Sequence, residues 1–194
     1  MQQANVYLAS LSPRRQKLLS QIGISFELLK VREDETYRRG ETPEQYVIRL
    51  ALAKAKAGQD SLQGRPLLPV LGADTIVVVE QKILGKPRDR DDGLAMLAGL
   101  SGREHCVLSA VALVAGTRRA TRLQKSWVRL RELSPTECQA YWNTGEPIDK
   151  AGAYAIQGLA AAFITELKGS YSGVMGLPLF ETTELLRNFG IHVL

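Results

Sequence analysis

Along residues 4–19 the apolar pattern changes period once. The stretch 4–9 reads as a strand, and Ser12-Pro13 then opens a helix whose buried face begins at Leu18 and Leu19. Two later helix starts are marked still more clearly. Thr42-Pro43-Glu44-Gln45 and Ser134-Pro135-Thr136-Glu137 both place Pro at the first helical position and Gln or Glu three residues after the cap. They predict helices over 43–57 and 135–144, with Gly58 and Gly145 as stops. A further helix is expected near 89–100, starting at Asp89, and another from Pro178 to about Phe189. Runs rich in Val, Ile, Leu and Thr predict strands at 4–9, 25–31, 67–73, 75–80, 104–115, 119–131, 153–157 and 161–167. Gly116-Thr117-Arg118 is a hairpin signal, so part of the sheet is antiparallel. The expected fold class is α/β: a mixed, twisted sheet with flanking helices, arranged as one unit with room for two lobes and a cleft.

Composition narrows the function classes. The chain has 194 residues, 45% hydrophobic and 23% charged, the balance of a soluble globular protein. No apolar run approaches the ~20 residues that span a bilayer, and MQQANVYLAS lacks the basic and apolar regions of a signal peptide. A cytoplasmic location and no membrane partner are therefore expected. Cys106 and Cys138 form neither a CxxC nor a disulfide framework, and His105 and His192 are too few for a His-rich metal site. The net charge of +5 favours anionic partners, but it is scattered. No basic stripe is interleaved with aromatics, so nucleic acid is not the expected partner.

Four positions break a local rule. Arg14 and Arg15 add positive charge to a helix N-terminus that is already positive. Either both turn into solvent, or the turn binds an anion, with Ser10 and Ser12 adding hydroxyl donors. Asp74 interrupts the apolar run LLPVLGADTIVVV, so it needs a hydrogen bond, a cation or a metal, and Gly72 marks a bend or close backbone approach. Lys54 follows Val47 by seven residues and shares the apolar face of its helix, as a snorkelling stem or as a cation turned inward; Lys56 points away. Lys86 lies between Gly85 and Pro87, a stiff turn that is also common on plain surfaces. Glu33, Asp34 and Glu35 follow a strand. If one of them faces Asp74, two carboxylates can hold a divalent ion against phosphates. The chain has no GxxxxGK[ST], HExxH, GxSxG or Rossmann glycine fingerprint. Cations around an awkward carboxylate point to a polyphosphate.

LASLSPRR, the acidic pair at 34–35, KA at 54–55, GADT at 72–75, GKP at 85–87, DKAGAYAIQG at 149–158 and GSYSGVMGLPL at 169–179 stand in one order along nearly the whole chain. In this the chain resembles the Maf family of nucleoside triphosphate pyrophosphatases. The resemblance implies a single domain over 1–194 with the fold of the inosine triphosphate pyrophosphatases, a deep cleft, and often a homodimer. It implies hydrolysis of a nucleoside triphosphate to monophosphate and pyrophosphate, with Mg²⁺ or Mn²⁺ as cofactor.

By the same resemblance Asp74 is the catalytic carboxylate that activates water, and Glu35 is the acid paired with it, both at the metal. Arg14, Arg15, Lys54 and Lys86 match phosphate-binding positions, with Lys54 and Lys86 close to the chemistry. Arg14, Thr75 and Gln157 match positions linked to base choice. AYAIQG looks like the branch acting on dTTP and UTP, while a related branch acting on 7-methyl-GTP differs there. A Gln amide can donate to a pyrimidine O4 and accept from N3–H. The rival expectations are a 7-methyl-GTP or other non-canonical nucleotide pyrophosphatase, and a non-catalytic nucleotide-binding regulator of cell division.

Overall fold

A computed structural model describes residues 4–193. The strands are β1 (Val6–Leu8), β2 (Phe26–Leu28), β3 (Val70–Val79), β4 (Lys82–Leu84), β5 (Glu104–Ala115), β6 (Arg118–Leu130) and β7 (Ile164–Lys168). The helices are α1 (Pro13–Gln21), α2 (Pro43–Asp60), α3 (Arg90–Leu100), α4 (Pro135–Asn143), α5 (Tyr171–Met175) and α6 (Leu179–Asn188). The sheet runs in the order β2-β1-β3-β5-β6-β7, with β4 paired to β3. β1 is parallel to β2 and to β3, whereas the β3–β4 and β6–β7 pairs are antiparallel. The expected mixed α/β architecture with flanking helices is thus the observed one. Among the described residues, no helix is long and apolar enough to cross a membrane.

The chain divides into two compact units. The first comprises the residues up to Asp74, then Ser109–Gln124, then those from Gly176 onward; the second comprises Thr75–Leu108 and Lys125–Met175. In the first unit Tyr7, Ala9, Leu29, Leu62 and Val70 form one buried cluster. In the second, Val77, Leu97, Leu100, Val128, Leu130, Tyr141, Tyr154 and Ile156 belong to a larger one. Each fully buried Leu, Ile or Val stabilises its unit by about 1.5–3 kcal/mol relative to exposure.

Both capping boxes form. Thr42 Oγ1 accepts from Gln45 N at 3.2 Å while Gln45 Oε1 accepts from Thr42 N at 2.9 Å. Ser134 and Glu137 exchange the equivalent bonds at 3.2 and 2.9 Å. Several boundaries differ from expectation. α2 runs through Gly58 to Asp60, because Gly58 is a contact and not a stop: a Cβ there would come within 2.7 Å of Val70 Cγ1. The strands expected at 67–73 and 75–80 are one strand that passes through Gly72 and Asp74 without a break. The strand expected at 153–157 does not form. A short 3-10 stretch at Ala151–Ala153 leads into a turn over 155–158, where Ala155 N–H is taken by the Tyr141 hydroxyl instead of a neighbouring strand and Gly158 N–H by Ala155 O. Likewise Leu159–Phe163 is 3-10, and only Ile164–Lys168 of that region is strand.

Candidate active site

Asp74 lies midway along β3 and is buried at 8% exposure. Gly72 brings α2 to it. A Cβ at Gly72 would fall 2.3 Å from Ala51 O and 2.6 Å from Ala55 N, so only glycine lets the helix backbone rest directly on the strand. Alternation puts Asp74 on the same strand face as Gly72, while Lys54 lies between Ala51 and Ala55 along the helix. Lys54 therefore turns inward, and its Nζ donates to Asp74 Oδ1 at 2.7 Å. The same Nζ donates to Glu35 Oε1, also at 2.7 Å. Two carboxylates thus converge on one ammonium.

Of the three consecutive acids, Glu35 is the one in this ion pair. Asp34 instead folds back on Thr36, its Oδ1 accepting from Thr36 N at 2.9 Å, and hydrogen bonds from the Thr36 side chain and backbone hold its carboxyl below the usual range. The segment 29–42 has no regular structure, yet it is strapped to α2. Tyr46 donates through its hydroxyl to Glu35 O at 2.7 Å, and Arg49 donates to Thr36 O at 3.1 Å. Arg49 also forks onto Glu41 at 2.6 and 2.9 Å, and this pairing lowers the Glu41 pKa. Tyr46 and Arg49 lay outside the sequence reading, because polar residues at the start of a helix look like an ordinary solvated face.

The SPRR turn differs in detail from expectation. Ser12 occupies the cap position of α1, but its side chain makes no capping bond; its N–H donates to Ser10 Oγ at 3.3 Å. Arg15 Nε donates to Gly176 O at 2.8 Å and its Nη1 to Ser10 Oγ at 3.3 Å. Burial lowers the pKa of this guanidinium, opposed by the charge of Asp74 and reinforced by Arg14. Arg15 thus ties SPRR to the GSYSGVMGLPL block, and two of its donors serve the protein itself. Arg14 is half-buried beside it in the first turn.

Thr75 opens the second unit directly after Asp74. Lys86 is exposed in the turn after β4 and lines a cavity of about 670 Å³ with Lys82, Arg88 and Arg103. That turn is joined to the DKAGAYAIQG block by Gly152 N–H donating to Gly85 O at 3.0 Å. Gln157 is exposed, next to Gly158.

Asp74 and Glu35 form a pair of hard oxygen donors, and a cation, the Lys54 ammonium, already sits between them. The pair suits a Mg²⁺-like ion, which takes one or two protein carboxylates and fills its other positions with water and phosphate oxygens. Among the described residues there is no group of three or more His, Cys, Asp or Glu that would make a fuller cage.

The dTTP/UTP pyrophosphatase of Alkalilimnicola ehrlichii is 56% identical over 190 residues, 96% of this chain and 94% of that one. The dTTP/UTP pyrophosphatases of Saccharophagus degradans and Aromatoleum aromaticum are 53% and 55% identical, covering 98% and 97% of this chain and 91% and 97% of theirs. The solved Staphylococcus aureus Ham1 protein is similar at 14% identity and a TM-score of 0.46, over 95% of this chain and 96% of its own. The family model for Maf-like protein matches residues 5–189, across both units, and this chain belongs to that family.

Proposed function

We propose that this protein is a pyrophosphatase that hydrolyses dTTP and UTP to the monophosphate and pyrophosphate. The observation that carries the reading is the convergence of Asp74 and Glu35 on Lys54 Nζ. A buried carboxylate needs only one cation to be satisfied. The second carboxylate, on an exposed and strapped loop, exceeds that need and supports a catalytic use. Relatives at 52–56% identity that carry the name dTTP/UTP pyrophosphatase support the substrate class.

In this reading Asp74 orients a water toward the α-phosphorus and accepts its proton. The new bond joins the water oxygen to the α-phosphorus. The bond from the α-phosphorus to the bridging oxygen breaks, and pyrophosphate leaves with the electron pair. Lys54 holds Asp74 in place and adds positive charge, while Arg14 and Lys86 take phosphate oxygens. Arg15 adds charge and shapes the Ser10–Arg15 turn. Asp74 and Glu35 would hold a Mg²⁺ or Mn²⁺ ion, which supplies Lewis-acid charge against the phosphates when bound. Gln157, with Thr75 and Arg14, reads the base.

A triphosphate panel with product identification tests the proposal. We expect dTTP and UTP to be hydrolysed ahead of CTP and the purine triphosphates, with activity lost in EDTA and restored by Mg²⁺ or Mn²⁺. Faster turnover of 7-methyl-GTP or ITP would overturn the substrate assignment. Full turnover in excess chelator would overturn the metal role of the two carboxylates.

A further inference from the structure

The turn that carries Gln157 is gripped by two side chains that no motif reading singled out. Gly158 N–H donates to Ala155 O at 3.0 Å, closing a four-residue turn with Ile156 and Gln157 at its centre. Residues 152–156 are all buried, and Gln157 is the first to emerge. On the near side of the turn, Ala155 N–H donates to the Tyr141 hydroxyl at 3.1 Å. On the far side, Leu159 N–H donates to Glu146 Oε2 at 3.0 Å and Ala160 N–H to Glu146 Oε1 at 3.3 Å. The two grips are themselves joined, because Tyr141 donates to Glu146 Oε1 at 2.6 Å. The carboxylate lies flush with the turn: a Cβ on Gly158 would fall 2.1 Å from Glu146 Oε2.

The direction of each bond is set by chemistry. A backbone N–H can only donate, so the Tyr141 oxygen accepts from Ala155 and its own proton goes to Glu146. Burial and the neighbouring Glu146 push the Tyr141 pKa up, which keeps that proton on the phenol. Burial opposes the charge on Glu146, but bonds from Tyr141, Leu159 and Ala160 outweigh it and the pKa falls below its ordinary value. One ionised carboxylate and one phenol therefore lock both flanks of a turn whose exposed member is Gln157.

We propose that Glu146 and Tyr141 are positioning residues that fix the direction of the Gln157 amide and so set the selectivity for thymine and uracil over cytosine. The proposal rests on the reading that Gln157 recognises the base. An amide that can swing or flip satisfies either the O4/N3–H edge or the N4–H/N3 edge, whereas a fixed turn removes part of that freedom.

The test compares kcat/KM for dTTP and CTP in wild type, Gln157→Ala, Glu146→Gln and Tyr141→Phe, with a melting temperature for each. Glu146→Gln keeps the size but turns one acceptor into an NH₂ group; Tyr141→Phe removes the hydroxyl alone. We expect both to lower the dTTP-to-CTP ratio at least about 5-fold, the scale of one mispaired buried hydrogen bond, chiefly through KM for dTTP. A purely structural role would reduce the amount of active enzyme for both nucleotides equally and leave the ratio unchanged. If Gln157→Ala lowers the ratio while both other variants keep it, positioning is overturned and base recognition stands. If Gln157→Ala itself keeps the ratio, base recognition is overturned and positioning falls with it. Should Glu146→Gln fail to fold, the Tyr141→Phe ratio decides alone.

Discussion

Lys54 Nζ lies 2.7 Å from Asp74 Oδ1, and both side chains are nearly enclosed, at 14% and 11% exposure. Glu35 is equally close to the same nitrogen but 56% exposed. The two halves of the triad therefore differ energetically. Removing one partner of a buried pair strands a charge and costs about 3–5 kcal/mol, whereas an exposed pair is worth about 0–1 kcal/mol. Lys54→Met should lower the melting temperature by roughly 6–20 °C, and Glu35→Gln by no more than about 4 °C. Asp74→Asn keeps an oxygen for Lys54 but loses the base, so kcat should fall at least ~10²-fold in a folded protein. Thermal melts and steady-state kinetics on the three variants check this. A normal rate in folded Asp74→Asn would remove Asp74 from the chemistry.

The strap over Glu35 should act on the rate. Tyr46→Phe removes one bond to Glu35 O, and Arg49→Met removes the Glu41 fork and the bond to Thr36 O. All of these groups belong to the loop or to α2, but Arg49 and Glu41 are themselves largely enclosed, at 19% and 9% exposure. We expect kcat/KM to drop about 10-fold or more in both, the cost of loosening one catalytic group by about 1.4 kcal/mol. Melting should shift by only a few degrees in Tyr46→Phe, whereas Arg49→Met strands Glu41, 9% exposed, and should also melt roughly 6–20 °C lower. Unchanged kcat/KM in both variants would show that Glu35 needs no strap.

Arg14 and Arg15 should separate. Helix-end electrostatics alone, read from the sequence, would have both substitutions leave stability level or slightly raised. Arg15, however, donates to Gly176 O and Ser10 Oγ. Arg15→Ala should lose about 1–3 kcal/mol, a melting shift of roughly 2–12 °C. Arg14→Ala should weaken nucleotide binding with little change in melting. Calorimetry with a non-hydrolysable dTTP analogue, beside thermal melts, measures both quantities.

His105 gives the fold an acid limit. It is 2% exposed, its Nε2 lies 2.8 Å from the Tyr154 hydroxyl, and its Nδ1 makes no hydrogen bond. Burial lowers its pKa from 6.5 to about 4. The unfolded chain therefore binds this proton first, so the contribution is complete above pH 6.5 and drains as pH falls toward 4. Its full size is about 3 kcal/mol. Glu137, held down to about 2 by Arg131 and Ser134, acts in a lower window that opens only below its ordinary value of 4.5. Urea melts of wild type and His105→Gln between pH 7 and 4.5 should converge as the pH falls. A constant gap across that range would contradict the assignment.

Legibility followed the kind of signal. Capping boxes are local, and α2 and α4 begin where Thr42 and Ser134 say they do. Asp74 could be read because a carboxylate in an apolar run demands a partner, and Gly72 because a strand glycine marks a close approach. Choosing among Glu33, Asp34 and Glu35 was beyond any periodicity, since the choice depends on bonds from Tyr46 and Arg49 across 11 and 13 residues. The hairpin between β3 and β4 was hidden for another reason. Its left-handed positions are Glu80 and Gln81, at φ 48° and 66°, not the glycine or asparagine that usually advertises such a turn. The missing strand at 153–157 was an apolar run whose Ala155 amide found the Tyr141 hydroxyl, while Glu146 took the amides of Leu159 and Ala160 just beyond it, a pairing set by tertiary structure alone.

The central claim is attack of water at the α-phosphorus under the control of Asp74, and isotope placement reads it directly. Hydrolysis of dTTP in ¹⁸O-enriched water should give dTMP carrying the label and unlabelled pyrophosphate, and folded Asp74→Asn should give almost none of either product. Label in pyrophosphate would mean attack at the β-phosphorus, and dTDP with labelled inorganic phosphate would mean attack at the γ-phosphorus. Either result would contradict the account.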